Sequence, residues 1–197
     1  MKSRPSYIEL LARYQPVSLS PTPQSAAVML ILLDQGTDSF EIVLTERAAH
    51  LERYAGDFSF PGGMQDEGDT DLYATVTREV EEELNLPAHA YQLIGQLDDF
   101  TDRYGHLVRP FVVLMKKTEF EKLHRIAASE IASIYYFSLS KLPAIKDTPA
   151  LHTITRRRPS YAFTEGQVFV WGLTATILVH LSNILSGESK PLGNPNP

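Results

Sequence analysis

The sequence predicts a domain of mixed α/β class, α+β in arrangement, in which a mixed β-sheet is sandwiched between helices. Three observations predict it. Apolar, partly β-branched runs of strand length recur at 26–34, 41–45, 91–97, 107–115 and 134–137. A strongly periodic segment of helical length lies between the first two runs and the rest. A second helix-like stretch follows near the C-terminus, so the sheet has helices available for both faces. With 197 residues the chain has room for one well-packed core rather than two.

Ala26–Asp34 and Glu41–Thr45 flank Gln35-Gly36-Thr37-Asp38, which reads as two strands and a turn. A short β-like stretch, Asp57 to Ser59, leads into Phe60-Pro61-Gly62-Gly63 and a polar loop. The main helix is expected from Thr70 to Leu84, capped by Asp69. Asn85 can take the left-handed conformation after it, and Pro87 follows. In the strand 107–115, Pro110 is expected at an edge or a bulge because it cannot donate to a ladder. Val168 to Leu185 carries no formal charge over eighteen residues, the lower limit for a membrane span. Its interior polar residues and Gly172 favour a short strand, Gln167 to Trp171, followed by a buried helix. The expected organisation is an extension over 1–25, a domain over 26–186 and a frayed tail over 187–197.

Composition narrows the chemistry. There is no cysteine, which removes disulfides, zinc-thiolate sites and thiol nucleophiles. Eighteen basic against 24 acidic side chains give a net charge of -6, which disfavours nucleic acid as a partner. The charged N-terminal residues do not read as a signal peptide, so a cytoplasmic protein outside the membrane is expected. The motifs GxSxG, HExxH and GxxxxGK[ST] are absent, and the six histidines show no ligand spacing.

The acids are unevenly spread. Asp66, Glu67, Asp69, Asp71, Glu79, Glu81, Glu82 and Glu83 lie between Met64 and Glu83, eight of the 24. At about 100° per residue, Glu79, Glu82 and Glu83 share one arc of the helix while Glu81 looks away. Leu72, Val76, Val80 and Leu84 form a neighbouring apolar stripe at i+4 steps, so the acidic arc borders the buried face. Arg78 can pair with Glu82 one turn on, but it cannot neutralise three carboxylates. A divalent cation can, and all-oxygen ligands suit Mg²⁺ or Mn²⁺. The alternative is a solvated acidic face. The adjacent Gly62 and Gly63 let backbone approach a ligand closely.

FPGG, a polar loop with Asp69, and then Arg78-Glu79-Val80-Glu81-Glu82-Glu83-Leu84 together resemble the Nudix box. The resemblance implies a Nudix-like mixed sheet between helices, divalent metal binding, and cleavage of a nucleoside diphosphate linked to another group. Asn85 stands at the box's usual glycine position, and Asp69 lies one position further from the arginine than the general pattern. Leu44 to Gly63 is similar to the extended signature of coenzyme A pyrophosphatases. Further matches lie at Thr101–Gly105, Val108–Val112, Ser129–Ile131 and Trp171–Ala175. Glu52 replaces the signature's arginine, and Ser133 stands where many relatives carry glutamate.

From this resemblance the metal ligands are Glu79, Glu82 and Glu83, with the Gly63 carbonyl. The catalytic set is Glu79 as proton acceptor, with Glu130 second to it, Glu82, and Arg78 as the residue that orients the carboxylates. Arg47, Gly62 and Gly63 bind substrate, while Arg53, Arg103 and Arg109 are further basic candidates and Arg156–Arg158 a solvated loop. The expected partner is a small nucleotide-diphosphate molecule, foremost coenzyme A or acyl-coenzyme A split to phosphopantetheine and adenosine 3′,5′-bisphosphate. ADP-ribose, nucleotide sugars and dinucleoside polyphosphates form the alternative, and a non-catalytic nucleotide-binding regulator the second. Assembly is left open, a homodimer included.

Overall fold

The computed structural model describes residues 6–36, 39–52, 54–146 and 161–188. Arg53, Arg156–Arg158 and the tail from residue 189 therefore lie outside the described residues. The chain begins with helix α1 (Tyr7–Arg13), opened by a reciprocal capping box between Ser6 and Glu9. Strands β1 (Ala26–Asp34) and β2 (Phe40–Arg47) follow as expected, then the short β3 (Phe58–Ser59) and β4 (Gly62–Met64). Helix α2 (Leu72–Leu84) precedes β5 (Gln92–Gln96), β6 (Phe100–Thr101) and β7 (Leu107–Lys116). Helix α3 (Lys117–Leu123), β8 (Ile131–Ser138) and α4 (Leu142–Lys146) come next, and a hairpin of β9 (Tyr161–Glu165) and β10 (Val168–Trp171) leads into α5 (Gly172–Ser186). No helix among the described residues is long and apolar enough to cross a membrane.

Eight strands form one mixed sheet around the path β3-β2-β1-β7-β5, while β9 and β10 pair separately. β1 lies parallel to β7 along its whole length and has apolar side chains on both faces. Leu30 and Leu32 pack with Ile177 and Leu181 of α5 on one face. Met29, Ile31 and Leu33 pack with Leu72, Val76, Val80 and Leu84 of α2 on the other. The stripe read from the i+4 spacing is thus the buried one. Each such aliphatic side chain contributes about 1.5–3 kcal/mol, enough for four of them to hold a helix whose exposed flank is crowded with acids.

One expectation is corrected and one is narrowed. Asp69 does not cap α2: the cap is Asp71, whose side chain accepts the Ala74 N–H at 2.8 Å, and the helix starts at Leu72. Asp69 is instead held by both donor atoms of an arginine fork, a stronger partner than one backbone N–H. For Pro110 the edge alternative is excluded, since β7 lies between β1 and β5, while the pairing shifts register opposite it, from Gln96↔Phe111 to Phe100↔Val108. Leu97 donates its N–H to the Pro110 carbonyl at 3.0 Å. A strand residue turns N and O to the same side, so the proline nitrogen faces the break between β5 and β6, where no ladder donor is required. Asn85 takes the left-handed conformation as expected, with φ 55 and ψ 34.

The N-terminal segment packs into the domain. Asp98 accepts from the Tyr14 hydroxyl and the Val17 N–H, both at 2.8 Å. Asp99 accepts from the Leu19 N–H, and Arg109 donates to both Asp99 oxygens and to the Leu19 carbonyl.

Candidate active site

The site grows from a split in the sheet. β1 pairs with β2 only at Leu32–Asp34, and towards its start the same edge of β1 pairs with β4. β2 pairs with β3 along the corresponding edge at Thr45 and Glu46. The two long strands therefore diverge, and the Phe60-Pro61-Gly62-Gly63 segment fills the wedge. Pro61 fixes its entry by accepting the Met29 N–H at 2.9 Å.

The two glycines serve different purposes. Gly62 has φ +142, and a Cβ there would lie 2.2 Å from the Ala27 carbonyl oxygen. Gly63 makes room for a side chain, since its Cβ would lie 2.4 Å from the Glu79 carboxyl carbon. Gly62→Ala is expected to damage the fold, because backbone cannot yield. Gly63→Ala is expected to keep the fold and lose activity, because the flexible end of Glu79 swings away. Thermal unfolding and turnover measured on both variants check this; equal melting temperatures would contradict it.

α2 lies across β4 with Glu79 and Glu83 facing it. Glu83 is 3% exposed, and its Oε2 accepts the Gly62 N–H at 3.2 Å. Burial, and then the charges of Glu79 and Glu130, push its carboxyl from 4.5 up to about 8, against the Gly62 N–H and Arg47. Burial also raises Glu79, with Glu82 and Glu130 adding to the effect and Arg78 opposing it. Glu130 thus reaches this cluster from the loop between α3 and β8, where its carbonyl accepts the Ala48 N–H. The Nε of Arg47 is buried without a hydrogen-bond partner, and its charge acts on Glu83.

Arg78 organises the other flank. It donates to both oxygens of Asp69 at 3.1 Å, to Glu82 at 3.1 Å and to the Met64 carbonyl at 3.2 Å, and it pairs with Glu79 at 2.9 Å. This pairing holds Asp69 down at about 2 and keeps the guanidinium protonated more firmly than usual. One arginine joins the loop, β4 and two glutamates of the helix.

The structure therefore brings Glu79, Glu83, Gly62, Gly63 and Arg47 together, with Arg78 at their edge. Glu82 lies at the more exposed rim, 57% exposed, and shares Arg78 Nη1 with Glu79. Among the described residues no three carboxylate or imidazole side chains converge into a ready-made metal cage. A cleft of about 620 Å³ runs along the opposite arc of α2 and touches the cluster only through Arg78 and Glu82. Ser133 donates to Glu46 at 2.6 Å, and Trp171 Nε1 to Asp57 at 3.1 Å. The pairing of Asp69 with Arg78 is not legible from spacing, because the eight residues between them pass from the end of the loop into the helix, and no helical period relates the two positions.

A family model, the NUDIX domain, matches residues 22–157. The chain belongs to the Nudix family. Similar Nudix proteins include the uncharacterized Nudix hydrolase NudL of Photorhabdus laumondii, 35% identical over 169 residues that make up 85% of this chain and 88% of that protein. NudL of Yersinia pestis is 32% identical over 176 residues, covering 85% and 82%. The fold is also that of a MutT/nudix family protein from Enterococcus faecalis, with TM-score 0.51 and 14% identity over 84% of this chain and 62% of that one. This Nudix chain is accordingly a hydrolase for nucleoside diphosphate-linked substrates, a class that generally works with divalent metal ions.

Proposed function

We propose that the enzyme hydrolyses coenzyme A or acyl-coenzyme A to (acyl-)phosphopantetheine and adenosine 3′,5′-bisphosphate, with Mg²⁺ or Mn²⁺ as the ion. The observation that carries the metal reading is the Glu79–Glu83 pair, two half-buried or buried carboxylates packed on Gly62 and Gly63. Their donor set is all oxygen, as these hard cations require. Glu79 and Glu83 would hold the ion with the Gly63 carbonyl, and Glu82 would join from the rim. Bound there, it supplies charge neutralisation for the diphosphate and a water of lowered pKa. Glu79 is the proton acceptor, with Glu130 facing the same cluster. Arg47 supplies positive charge beside Glu83 for a phosphate oxygen, and Arg78 holds Glu79 and Glu82 in place.

The coenzyme A reading is supported by how the signature folds. Leu44–Gly63 contributes Arg47, Gly62 and Gly63 to one cluster, and Asp57 joins it to Trp171 from the last matching segment. Chromatography of coenzyme A incubated with the enzyme and Mg²⁺ or Mn²⁺ is expected to show the two products, with none when metal is chelated. Intact coenzyme A beside rapid turnover of ADP-ribose would reject this substrate. That second reading has one observation in its favour: Glu52, exposed on the loop after β2, puts a negative charge where the signature has a positive one.

A further inference from the structure

The arginines near the motifs fall into distinct environments. Arg109 is committed to Asp99, at 2.8 and 2.7 Å. Arg47 has a buried Nε and lies close enough for its charge to act on Glu83. Arg103 differs from both: among the described residues it has no carboxylate within ion-pair distance. Its guanidinium carbon lies 4.7 Å from the ring centroids of both Tyr54 and Tyr104, and it donates to the Tyr104 hydroxyl at 2.6 Å. The neighbouring Asp102 is engaged elsewhere, by the N–H groups of Tyr104 and His106 and by the His106 ring.

This trio stands at the end of the sheet that carries the acid cluster. Val108 pairs with Ala26, and Ala26 with Met64, so the 102–106 turn projects past the same end as β4. Tyr54 comes from the loop between β2 and β3, the loop that also holds Asp57. It has φ 59, a left-handed conformation that aromatic side chains rarely adopt. Both rings are exposed, Tyr54 by 37% and Tyr104 by 54%.

Each part of the trio has a chemical counterpart. Exposed tyrosine rings offer faces on which a heteroaromatic base stacks. A guanidinium that rests its face on aromatic rings keeps in-plane N–H donors for phosphate oxygens, which a lysine could not do. We propose that Tyr54, Arg103 and Tyr104 form a subsite for the nucleoside end of the substrate, the base stacking on the tyrosines and Arg103 receiving a phosphomonoester on the ribose. The proposal rests on the coenzyme A reading, because the 3′-phosphate is what distinguishes that nucleotide. It also bears on Glu52: where the signature has an arginine and this chain has Glu52, Arg103 on the turn packed against Tyr54 supplies positive charge.

Calorimetric titration of the full chain in Mg²⁺ with adenosine 3′,5′-bisphosphate and with adenosine 5′-monophosphate tests it. The wild type is expected to bind the bisphosphate about 10- to 100-fold more tightly. Arg103→Ala brings that ratio close to one, Arg103→Lys restores part of it, and Tyr104→Ala weakens both ligands. A wild-type ratio near one, or a ratio that survives in Arg103→Ala, overturns the phosphate assignment; unchanged binding in Tyr104→Ala overturns the stacking. Coenzyme A hydrolysis is scored separately. If coenzyme A stays intact while the ratio holds, the substrate reading fails and the subsite stands; hydrolysis with a ratio near one means the reverse.

Discussion

Glu83→Gln is expected to lower turnover by about 10²–10⁴-fold while making the metal-free protein more stable at alkaline pH. Both effects follow from one buried carboxyl. Its folded pKa is raised from 4.5 to about 8 by burial and by Glu79 and Glu130. Below pH 4.5 the group is protonated in both states and imposes no penalty. Between 4.5 and 8 the unfolded chain ionises it while the folded chain keeps the proton, so stability falls by up to about 1.4 kcal/mol per pH unit. Above 8 the penalty is constant. Glutamine carries no charge, so the variant's stability should be flatter over that window. A cation held by ionised Glu79 and Glu83 offsets the same penalty, so the rise in melting temperature on adding Mg²⁺ should be larger at pH 8 than at pH 5, and smaller in the variant. Scanning calorimetry at the two pH values decides this, and a metal effect independent of pH would count against the assignment. Glu79→Gln should lose rate to a similar extent and still fold.

Asp69 works in the opposite direction. Arg78 holds it at about 2, so its contribution is present above the ordinary carboxylate range and is lost as pH falls towards 2. The metal-free protein should therefore be most stable at mildly acidic pH, where Asp69 is ionised and Glu83 is not.

Much of this site was legible before the fold was known, and its elements show why. The i+4 spacing of Leu72, Val76, Val80 and Leu84 fixes which side of α2 is buried, and that alone puts Glu79 and Glu83 at the border of the core. The left-handed Asn85 follows from local chemistry in the same way. What spacing could not supply was long-range. Asp69 reads as a cap because caps are local, whereas its partner Arg78 is reached only once the loop has folded back. Pro110 reads as an edge or bulge residue, and which of the two holds depends on the break and register shift between β5 and β6, which belong to another part of the chain. The arc gives the order of Glu79, Glu83 and Glu82 around the helix but not their unequal exposure, which places Glu82 at the rim, where it shares Arg78 Nη1 with Glu79. Tyr54 and Tyr104 carry no periodic signal, and only the two loops' juxtaposition makes a pair of them.

Arg78→Ala is expected to cost about 2–4 kcal/mol of stability and about 10² in rate. The stability loss comes less from the missing attraction than from what remains behind: Asp69, with a side chain 7% exposed, would be left ionised without a counter-charge, held by the Asp66 N–H at 2.9 Å. Removing one member of a fully buried pair costs about 3–5 kcal/mol; here the guanidinium is 28% exposed, which reduces the figure. The rate loss comes from position, since Arg78 ties Glu79, Glu82 and the Met64 carbonyl together, and a displacement of about 1 Å can cost about 10²-fold. Arg78→Lys keeps the charge but not the fork and should recover stability better than rate. The double variant Arg78→Ala/Asp69→Asn separates the two causes. With the orphaned charge neutralised, it should be more stable than Arg78→Ala alone while remaining as slow, a non-additivity that unfolding and kinetics on the four proteins would measure. Additive stability losses would mean that Arg78 acts through the helix glutamates alone.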